Sequence, residues 1–348
     1  MRPTVIDIAR EAGVSLATVD RVLNERPGVR DKTILAVSDA IAKLGYVRDL
    51  AAANLARQRN YRVAFVLPDT ISQFVQTLHA EIATASLAAM AARTEIDVIR
   101  FPAEDPHALV ALLAGLPENG VSGVALMAPE TPILRDAIRA LRQRGIAVVA
   151  LVSDLPNTER DHFVGIDNCA AGRSSAVLMG RFLGQGPNKV AVIAQSMALR
   201  EAVERRFGFD DVMGRQFPLI EVLPTLESHG SAELLRQVVS EMLSQFSGVG
   251  GLYLLGAGHR ALTQAIDDLG LAGKIVVIGH DLTPHARDAL IVGKMDAVIT
   301  QNIGHLVRSA LRVLRAKTDK APIDAGQEQL RIEIVIRENL PPAAASLG

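Results

Sequence analysis

The sequence has a single cysteine, Cys169, among its 348 residues. One thiol excludes a disulfide framework and a cysteine-rich metal site, and Cys169 is best explained as a small residue near the start of a helix. The eight histidines form no HExxH motif and no pair at metal-ligand spacing. We therefore expect neither a metal nor a cofactor.

Long apolar segments and catalytic motifs are also missing. No uninterrupted apolar run is long enough to cross a membrane, and the N-terminal MRPTVIDIAREAG lacks the apolar core of a signal peptide. Walker A and GxSxG motifs do not occur, and the Gly-x-Gly of GLYLLGAGHRAL lacks the third glycine of a dinucleotide site. We expect a cytoplasmic protein that is not an enzyme and has no membrane partner. A catalytic protein or an exported solute receptor is the alternative.

Charge is divided unevenly along the chain. The net charge is -1, but residues 1 to 60 carry ten lysines and arginines against seven acidic residues, a local charge of +3. A chain of this length exceeds what one hydrophobic core usually serves, so we expect two or three folding units. The first unit is the basic one, as nucleic-acid binding requires.

The segment VIDIAREAGVSLATVDRVLN predicts two helices joined by a short turn. Thr4 is a candidate N-cap, Gly13 ends the first helix, Ser15 caps the second, and Val19 fills the space between them. A simple two-helix packing unit is the alternative to a DNA-binding motif. The outward side of the second helix would carry Leu16, Ala17, Thr18, Arg21 and Asn24.

A third helix is predicted from Asp31 or Lys32 to Gly45. Its expected buried stripe consists of Ile34, Leu35, Val37, Ile41 and Leu44. Residues 49–57 could then form one short helix, which is too short to be stable alone in water. Such a marginal helix between two domains is suited to a switch.

These segments resemble a LacI/GalR-family transcriptional regulator, most specifically in VIDIAREAGVSLATVDRVLN, KLGY and LAAANLARQR. The resemblance implies a homodimer on a near-palindromic operator, with a helix of each head in the major groove. Leu55 would enter the minor groove at the operator centre, with Asn54 and Ala52 beside it. Base edges would be contacted by Leu16, Ala17 and Arg21, and phosphates by Thr4, Ser15, Thr18, Asn24 and Thr33.

Two departures from the family pattern affect DNA recognition. Asp20 stands where the family usually carries serine, and a carboxylate there either repels phosphate or accepts a hydrogen bond from cytosine. Arg48 and Asp49 replace a common Pro-Asn pair before the hinge. Arg21 is the best candidate for a guanine contact, because leucine and alanine offer no paired hydrogen bonds.

From residue 61 onward, short apolar strands alternate with helical segments. RVAFVLP, DVIRFP, GVALMAP and AVVALVS form a first set, and KVAVIAQ, LIEVLP, GLYLLG and IVVIGH form a second. Two consecutive doubly wound parallel sheets explain this order. DAVITQN and LRIEIVIREN would be the segments by which the chain crosses back between the lobes.

The predicted fold is an all-α helix-turn-helix head, joined by a hinge helix to an α/β two-lobed, periplasmic-binding-protein-like (type I) body. The first lobe would comprise residues 61–162 and 292–325, and the second 163–291 and 326–340. The predicted divisions are a head at 1–48, a hinge and linker at 49–60, an effector-binding domain at 61–340 and a tail at 341–348.

Ligands of open parallel sheets bind beyond the carboxyl ends of the strands, so the residues that follow strands are candidates for a cleft between the lobes. Carboxylates, a guanidinium and an amide around an aromatic ring suit a sugar or polyol, whose hydroxyls donate and accept while its C–H face packs on the ring. The family resemblance supports the arginine, the second-lobe aspartate and the glutamine. The candidates are Asp69, Phe74, Asp154, Arg205, Asp281 and Gln301.

Structural roles compete with ligand binding at several of these positions. Asp281 could only cap a helix, Asp154 could be a turn residue, Arg205 a solvated helix charge and Phe74 a core residue. Asp167 and its neighbour Asn168 are better explained as a helix cap than as ligand contacts. Ala257 and Gly258 stand where many sugar regulators carry Asn-Asp, so a polar contact is either missing there or supplied by His259.

Overall fold

The computed structural model describes residues 3–23, 27–46, 60–184, 186 and 188–342. The chain divides into two compact units, residues 1–59 and 60–348, called here the head and the body. Within the described ranges, no helix combines the length and apolarity that a bilayer crossing needs.

The described residues of the head form three helices, α1 (Val5–Ala12), α2 (Leu16–Leu23) and α3 (Asp31–Leu44). Thr4 caps α1 in a reciprocal capping box with Asp7, and Gly13 ends it with a left-handed φ of 63°. The Ser15 hydroxyl accepts a hydrogen bond from the Thr18 amide at 3.1 Å, which starts α2. The three helices bury a small core of Ile8, Ala9, Val19, Val37 and Ala40.

The apolar stripe predicted for α3 is partly wrong. Val37 is buried and Ile41 packs against the core, but Ile34 and Leu35 are 39% and 64% exposed. Ala40 takes their place, because it lies three residues after Val37 and therefore on the same helix face. The candidate DNA contacts Asn24, Asn54 and Leu55, and the predicted hinge helix at 49–57, lie outside the described residues.

The first lobe of the body is a parallel sheet in the order β2-β1-β3-β4-β5. Apolar residues of α4 and α12 pack on one face, and those of α5 and α6 pack on the other. Its strands are β1 (Tyr61–Asp69), β2 (Thr94–Pro102), β3 (Gly123–Leu126), β4 (Ala147–Leu151) and β5 (His162–Val164). Its helices are α4 (Gln73–Ala91), α5 (Pro106–Gly115), α6 (Pro132–Gln143) and, from later in the chain, α12 (Ile303–Thr318).

The second lobe is a six-stranded sheet in the order β11-β10-β9-β8-β6-β7, in which only the β10–β11 pairing is antiparallel. Its strands are β6 (Asn188–Ala194), β7 (Ile220–Glu227), β8 (Val249–Leu254), β9 (Val276–His280), β10 (Ala297–Thr300) and β11 (Glu333–Val335). Its helices are α7 (Asn168–Leu183), α8 (Arg200–Gln216), α9 (Ala232–Gln245), α10 (His259–Asp268) and α11 (Pro284–Ile291). The two-lobed α/β fold predicted from the strand order is thus confirmed.

The chain crosses between the lobes at residues 165–167, 301–302 and 329–332. The prediction that the first lobe resumes near residue 292 is wrong, because β10 pairs with β9 in the second sheet and only α12 returns to the first. The other predicted lobe boundaries, 163 and 326, lie a few residues from the crossings. The short helix α13 (Ala325–Glu328) stays with α12, since Glu328 accepts hydrogen bonds from Ser309 and Arg312.

Candidate functional site

The second helix of the head presents the side chains predicted to contact DNA. Leu16, Ala17 and Arg21 are exposed on α2, while Val19 of the same helix is fully buried against α1 and α3. The remaining described candidates, Thr4, Ser15, Thr18 and Thr33, are exposed or half-buried near the helix starts. The fold therefore leaves these candidate residues accessible, as an interface requires.

The body contains a cavity of about 280 Å³ between the lobes. Its walls come from the residues that follow the strands of both sheets, as expected for open parallel sheets. Apolar groups, including Phe74 and Met127, form much of the wall. The polar side chains that line it are Thr70, Ser72, Glu104, Ser153, Gln195, Ser196, Glu201, Arg205 and Asp281.

Arg205 is held in place at this cavity although it is only 3% exposed. Its Nε donates to the Asn168 Oδ1 at 2.9 Å, and its Nη1 donates to the Leu255 carbonyl oxygen at 2.7 Å. A guanidinium has five N–H donors, so these two bonds fix its orientation and leave donors for a ligand. The alternative of a solvated helix charge is excluded by this burial.

Asp281 follows β9 and lines the same cavity. Its φ of 69° is left-handed, which turns the carboxylate out of the strand direction. Burial raises the pKa of this carboxyl, opposed by the nearby Arg205 and reinforced by Glu201. The cap of α11 is Thr283, whose hydroxyl accepts from the Ala286 amide at 3.2 Å, so Asp281 is not the N-cap.

Gln301 lies at the second lobe crossing, immediately after β10. It is 3% exposed, and both its amide nitrogen and its amide oxygen are buried without a hydrogen-bond partner. A buried amide with four unmet hydrogen bonds is costly, so a partner from outside the chain would relieve it. Gln301 is not part of the cavity wall described above.

Two of the predicted ligand residues point away from the cavity. Asp69 is exposed and lies 3.8 Å from Arg100 on the neighbouring edge strand, and Asp154 forms a two-pronged ion pair with Arg160, with one N···O distance of 2.8 Å. In each case the preceding residue, Pro68 or Ser153, lines the cavity instead. Asp69 ends β1, where successive side chains alternate in direction, and beyond β4 the left-handed φ of 67° at Val152 turns the chain before Asp154.

The structure also brings in polar residues that we did not predict. Thr70, Ser72, Glu104 and Gln195 follow β1, β2 and β6 directly, so the rule that selects residues after strands could have found them. Glu201 differs, because it lies in the first turn of α8 and does not directly follow a strand. Its Oε2 is buried without a partner beside the cavity.

A second cavity of about 380 Å³ adjoins the first and shares Phe74, Ala257 and Asp281 with it. Ala257 and Gly258 line this region without polar side chains. His259 begins α10 there and is 4% exposed, and burial lowers its pKa to about 4. The imidazole is therefore neutral at pH 7.

The region around residue 168 does two jobs. The Asp167 carboxylate accepts from the Ala170 amide at 2.8 Å and so caps α7, as predicted. Asn168, predicted to be part of that cap, instead holds Arg205. Phe74 is 8% exposed, belongs to the main core and also lines both cavities, so core packing does not keep it from the candidate site. Among the described residues, no group of His, Cys, Asp or Glu side chains could hold a metal ion.

Family comparisons agree with this division of the chain. Residues 4–49 match the bacterial regulatory proteins of the lacI family, and residues 63–321 match the periplasmic binding protein domain. The chain therefore belongs to the periplasmic binding protein domain family through its body, and its head is a lacI-family domain. This confirms the resemblance inferred from the head and hinge motifs. Both matching families are of regulatory or binding proteins.

Curated relatives are similar mainly in the head. The HTH-type transcriptional regulator RegA of Clostridium saccharobutylicum is 46% identical over 74 residues, which are 21% of this chain and 22% of that protein. The matched part thus spans less than a quarter of that relative's length. The ribose operon repressor of Halalkalibacterium halodurans is 24% identical over 349 aligned residues and covers 96% of both chains.

Solved structures similar to the body are sugar-binding proteins. GanP, a glucose-galactose binding protein from Geobacillus stearothermophilus, is 18% identical with a TM-score of 0.71, over 81% of this chain and 99% of its own. A solute binding protein from Burkholderia graminis, in complex with D-arabinose, is 22% identical with a TM-score of 0.72, over 81% and 96%. At these identities the likeness establishes the fold.

Proposed function

We propose that the protein is a sequence-specific DNA-binding transcriptional regulator, a repressor, whose operator affinity is controlled by a small sugar or polyol bound between the lobes. The observation that carries this proposal is the combination in one chain of a helix-turn-helix head with an exposed second helix and a body with a polar cavity around the anchored Arg205. Such a regulator works where the DNA is, in the cytoplasm, and is not an enzyme.

The cavity supports a sugar-like effector through its chemistry. Arg205 supplies oriented donors, Asp281 and Glu201 supply acceptors, and Phe74 with Met127 supplies apolar surface. A polyol uses all three, because each hydroxyl both donates and accepts while the C–H groups need apolar contact. A non-sugar metabolite with the same mixture of groups is the alternative.

The proposed mechanism links two equilibria. Closure of the lobes around the effector would favour one arrangement of the body, and the effector can change DNA affinity only by its differential affinity for the two states. A symmetric homodimer would place two heads on the half-sites of a near-palindromic operator. Leu87 and Met90, which are 76% and 69% exposed on α4, are candidates for the dimer contact.

The test is a thermal-shift screen of the full chain against monosaccharides, polyols and nucleosides. A compound that binds the folded state stabilises it by mass action and so raises the melting temperature. At a concentration of a hundred times its Kd, the free energy of unfolding increases by about 2.7 kcal/mol. We expect a saturable shift with a sugar or polyol that is lost in Arg205→Lys, since lysine cannot keep the paired anchoring bonds. Arg215→Ala on the exposed side of the same helix is the matched control.

DNA binding is tested with fragments that the wild-type chain selects from a random duplex pool. We expect enrichment of a near-palindrome whose affinity changes when the identified effector is added. Failure to enrich any sequence would overturn the regulator proposal, and a nucleoside that alone produces the thermal shift would replace the sugar with the alternative.

A further inference from the structure

The side chains that line the first cavity are unbalanced in charge. Two carboxylates that are not exposed, those of Glu201 and Asp281, line it together with a single guanidinium, that of Arg205, and the exposed carboxylate of Glu104 adds a third negative charge that water screens. Asp281 lies near both Arg205 and Glu201, because each influences its pKa, after the larger effect of burial. The one cation is therefore already offset by the protein's own acids.

Other arginines near this end of the cleft do not restore the balance. Arg160 is paired with Asp154, and Arg200 is 2.7 Å from Glu204. Arg260 lines only the adjoining cavity and is exposed, so water screens its charge. An anionic ligand would find no uncompensated positive charge among the described residues of the first cavity.

The hydrogen-bonding groups of the cavity wall also favour a ligand without a negative charge. An ionised carboxylate only accepts hydrogen bonds, and the Glu201 Oε2 is buried without a donor. Phosphate and carboxylate groups at neutral pH have few or no protons to donate, and placing one here would bring like charges together in a partly dry site. Hydroxyl and ammonium groups can satisfy the same acceptors.

We propose that the effector of this cleft carries no anionic group: it is an uncharged or amine-bearing polyol, and sugar phosphates and sugar acids are excluded by the carboxylates of Glu104, Glu201 and Asp281. This inference rests on the proposed function of the cleft and narrows it to a chemical class. Exclusion by charge is a form of specificity against competing metabolites that share the sugar ring.

Isothermal titration of the full chain tests this with matched ligands. The neutral probes are D-ribose, D-allose, D-arabinose and D-glucose, the amine probe is D-glucosamine, and the anionic probes are the phosphate esters of ribose and glucose together with gluconate. We expect at least one neutral or amine probe to bind, and its anionic counterpart to bind at least tenfold more weakly, or about 1.4 kcal/mol.

A double variant separates charge from shape. Glu104→Gln/Glu201→Gln keeps the side-chain size. It should reduce the ratio between the Kd of a sugar phosphate and the Kd of its neutral sugar by about tenfold. Glu118→Gln/Glu338→Gln makes the same change of net charge at exposed positions outside the cavity and should leave this ratio unchanged.

The outcomes distinguish this inference from the proposed function. An anionic probe that binds as tightly as its neutral parent, or a ratio that the cavity variant does not change, overturns the exclusion and leaves a sugar-responsive regulator in place. Absence of binding by every probe overturns the sugar effector itself, and the inference with it.

Discussion

Gly172 of α7 lies directly against the backbone of Arg205 in α8: a Cβ atom at position 172 would overlap the Arg205 carbonyl oxygen. Gly208, one turn further along α8, has the same relation to the Cys169 carbonyl oxygen. The two glycines let the helix backbones approach more closely than any side chain would allow. This crossing sets the position from which the Arg205 side chain reaches Asn168 and the cavity.

A methyl group at either crossing glycine should therefore push the helices apart. We expect Gly208→Ala to lower the free energy of unfolding by about 1–3 kcal/mol, as overpacked cores do, and to weaken effector binding by displacing Arg205. Gly214→Ala, in the same helix, is the control, since nothing lies within 4 Å of its new Cβ. It should stabilise the helix by roughly 0.5–1 kcal/mol. Equal effects of the two changes in urea unfolding would contradict the crossing argument.

The ionised Asp281 carboxylate should lower the free energy of unfolding although it contributes to effector binding. Its pKa is raised, mainly by burial, so the folded state holds this proton more tightly than the unfolded state does. Ionising this carboxyl therefore destabilises the folded state. The destabilisation is absent below the pKa in the unfolded chain, about 3.9, and is fully present once the pH exceeds the pKa in the folded state. We expect Asp281→Asn to raise the melting temperature at pH 7, by less as the pH falls, and to abolish effector binding.

Asparagine is the appropriate replacement because it tolerates the left-handed φ of 69° at this position. Asp281→Ala removes the same charge but adds backbone strain, so it should be less stable than the asparagine variant. Scanning calorimetry across the pH range measures both. A melting temperature for Asp281→Asn below that of the wild type at pH 7 would show that burial is not the dominant effect.

Gln301 offers a related test without a charge. Its amide is buried and unpartnered, and an unmet buried polar group costs about 1–3 kcal/mol. Gln301→Met keeps the length of the side chain and removes the amide, so we expect a higher free energy of unfolding in urea. Gln195→Met is the control: that residue lines the cavity but is only half-buried, and its stability should change little.

Arg21 should carry base recognition in the head. We expect Arg21→Ala to weaken binding to the selected duplex by roughly 1–3 kcal/mol while leaving binding to unrelated DNA almost unchanged. Lys43→Ala removes the same charge from α3, where the ammonium contacts Glu11 at 2.5 Å, and controls for nonspecific attraction. Fluorescence anisotropy gives the Kd for the selected duplex and for an unrelated duplex, and the ratio of the two Kd values measures specificity. If both variants lose affinity equally, Arg21 contacts phosphate and not a base.

The exposed apolar pair on α4 gives the oligomer test. Leu87→Asp/Met90→Asp should convert a dimer into a monomer, because two carboxylates would be buried without partners in the interface. Leu219→Asp/Leu269→Asp alters similarly exposed leucines outside α4 and should leave the mass unchanged. Light scattering after size exclusion measures the mass. A wild-type monomer, or a dimer that survives the α4 change, would overturn this assignment.

The sequence was sufficient for four strands of each sheet, because buried parallel strands are short apolar runs that stand out between amphipathic helices. It also placed Arg205 and Asp281 correctly at the cavity. The prediction that Asp69 and Asp154 line the cavity failed. The direction of a side chain at the end of a strand reverses with a shift of one residue in position. No sequence pattern marks that shift.

Glu201 and Gln301 show a further limit. Glu201 lies in a helix, where its charge alone resembles any solvated acid, and only the position of α8 relative to the cleft makes it part of the wall. The missing partners of Gln301 are likewise a property of packing around β10. Such features depend on contacts between residues far apart in sequence, which periodicity does not encode.

The return of α12 to the first lobe has a consequence for synthesis of the chain. This helix buries Leu306, Val307, Ala310 and Leu314 against the first sheet, whose strands β1, β3 and β4 end more than 150 residues earlier, and the second lobe is inserted between them. The emerging first lobe therefore exposes the part of its apolar sheet face that α12 covers until nearly the whole polypeptide has left the ribosome, a period in which nascent chains are prone to aggregate. We therefore expect a chain truncated before residue 303 to form an incomplete first lobe that depends on chaperones.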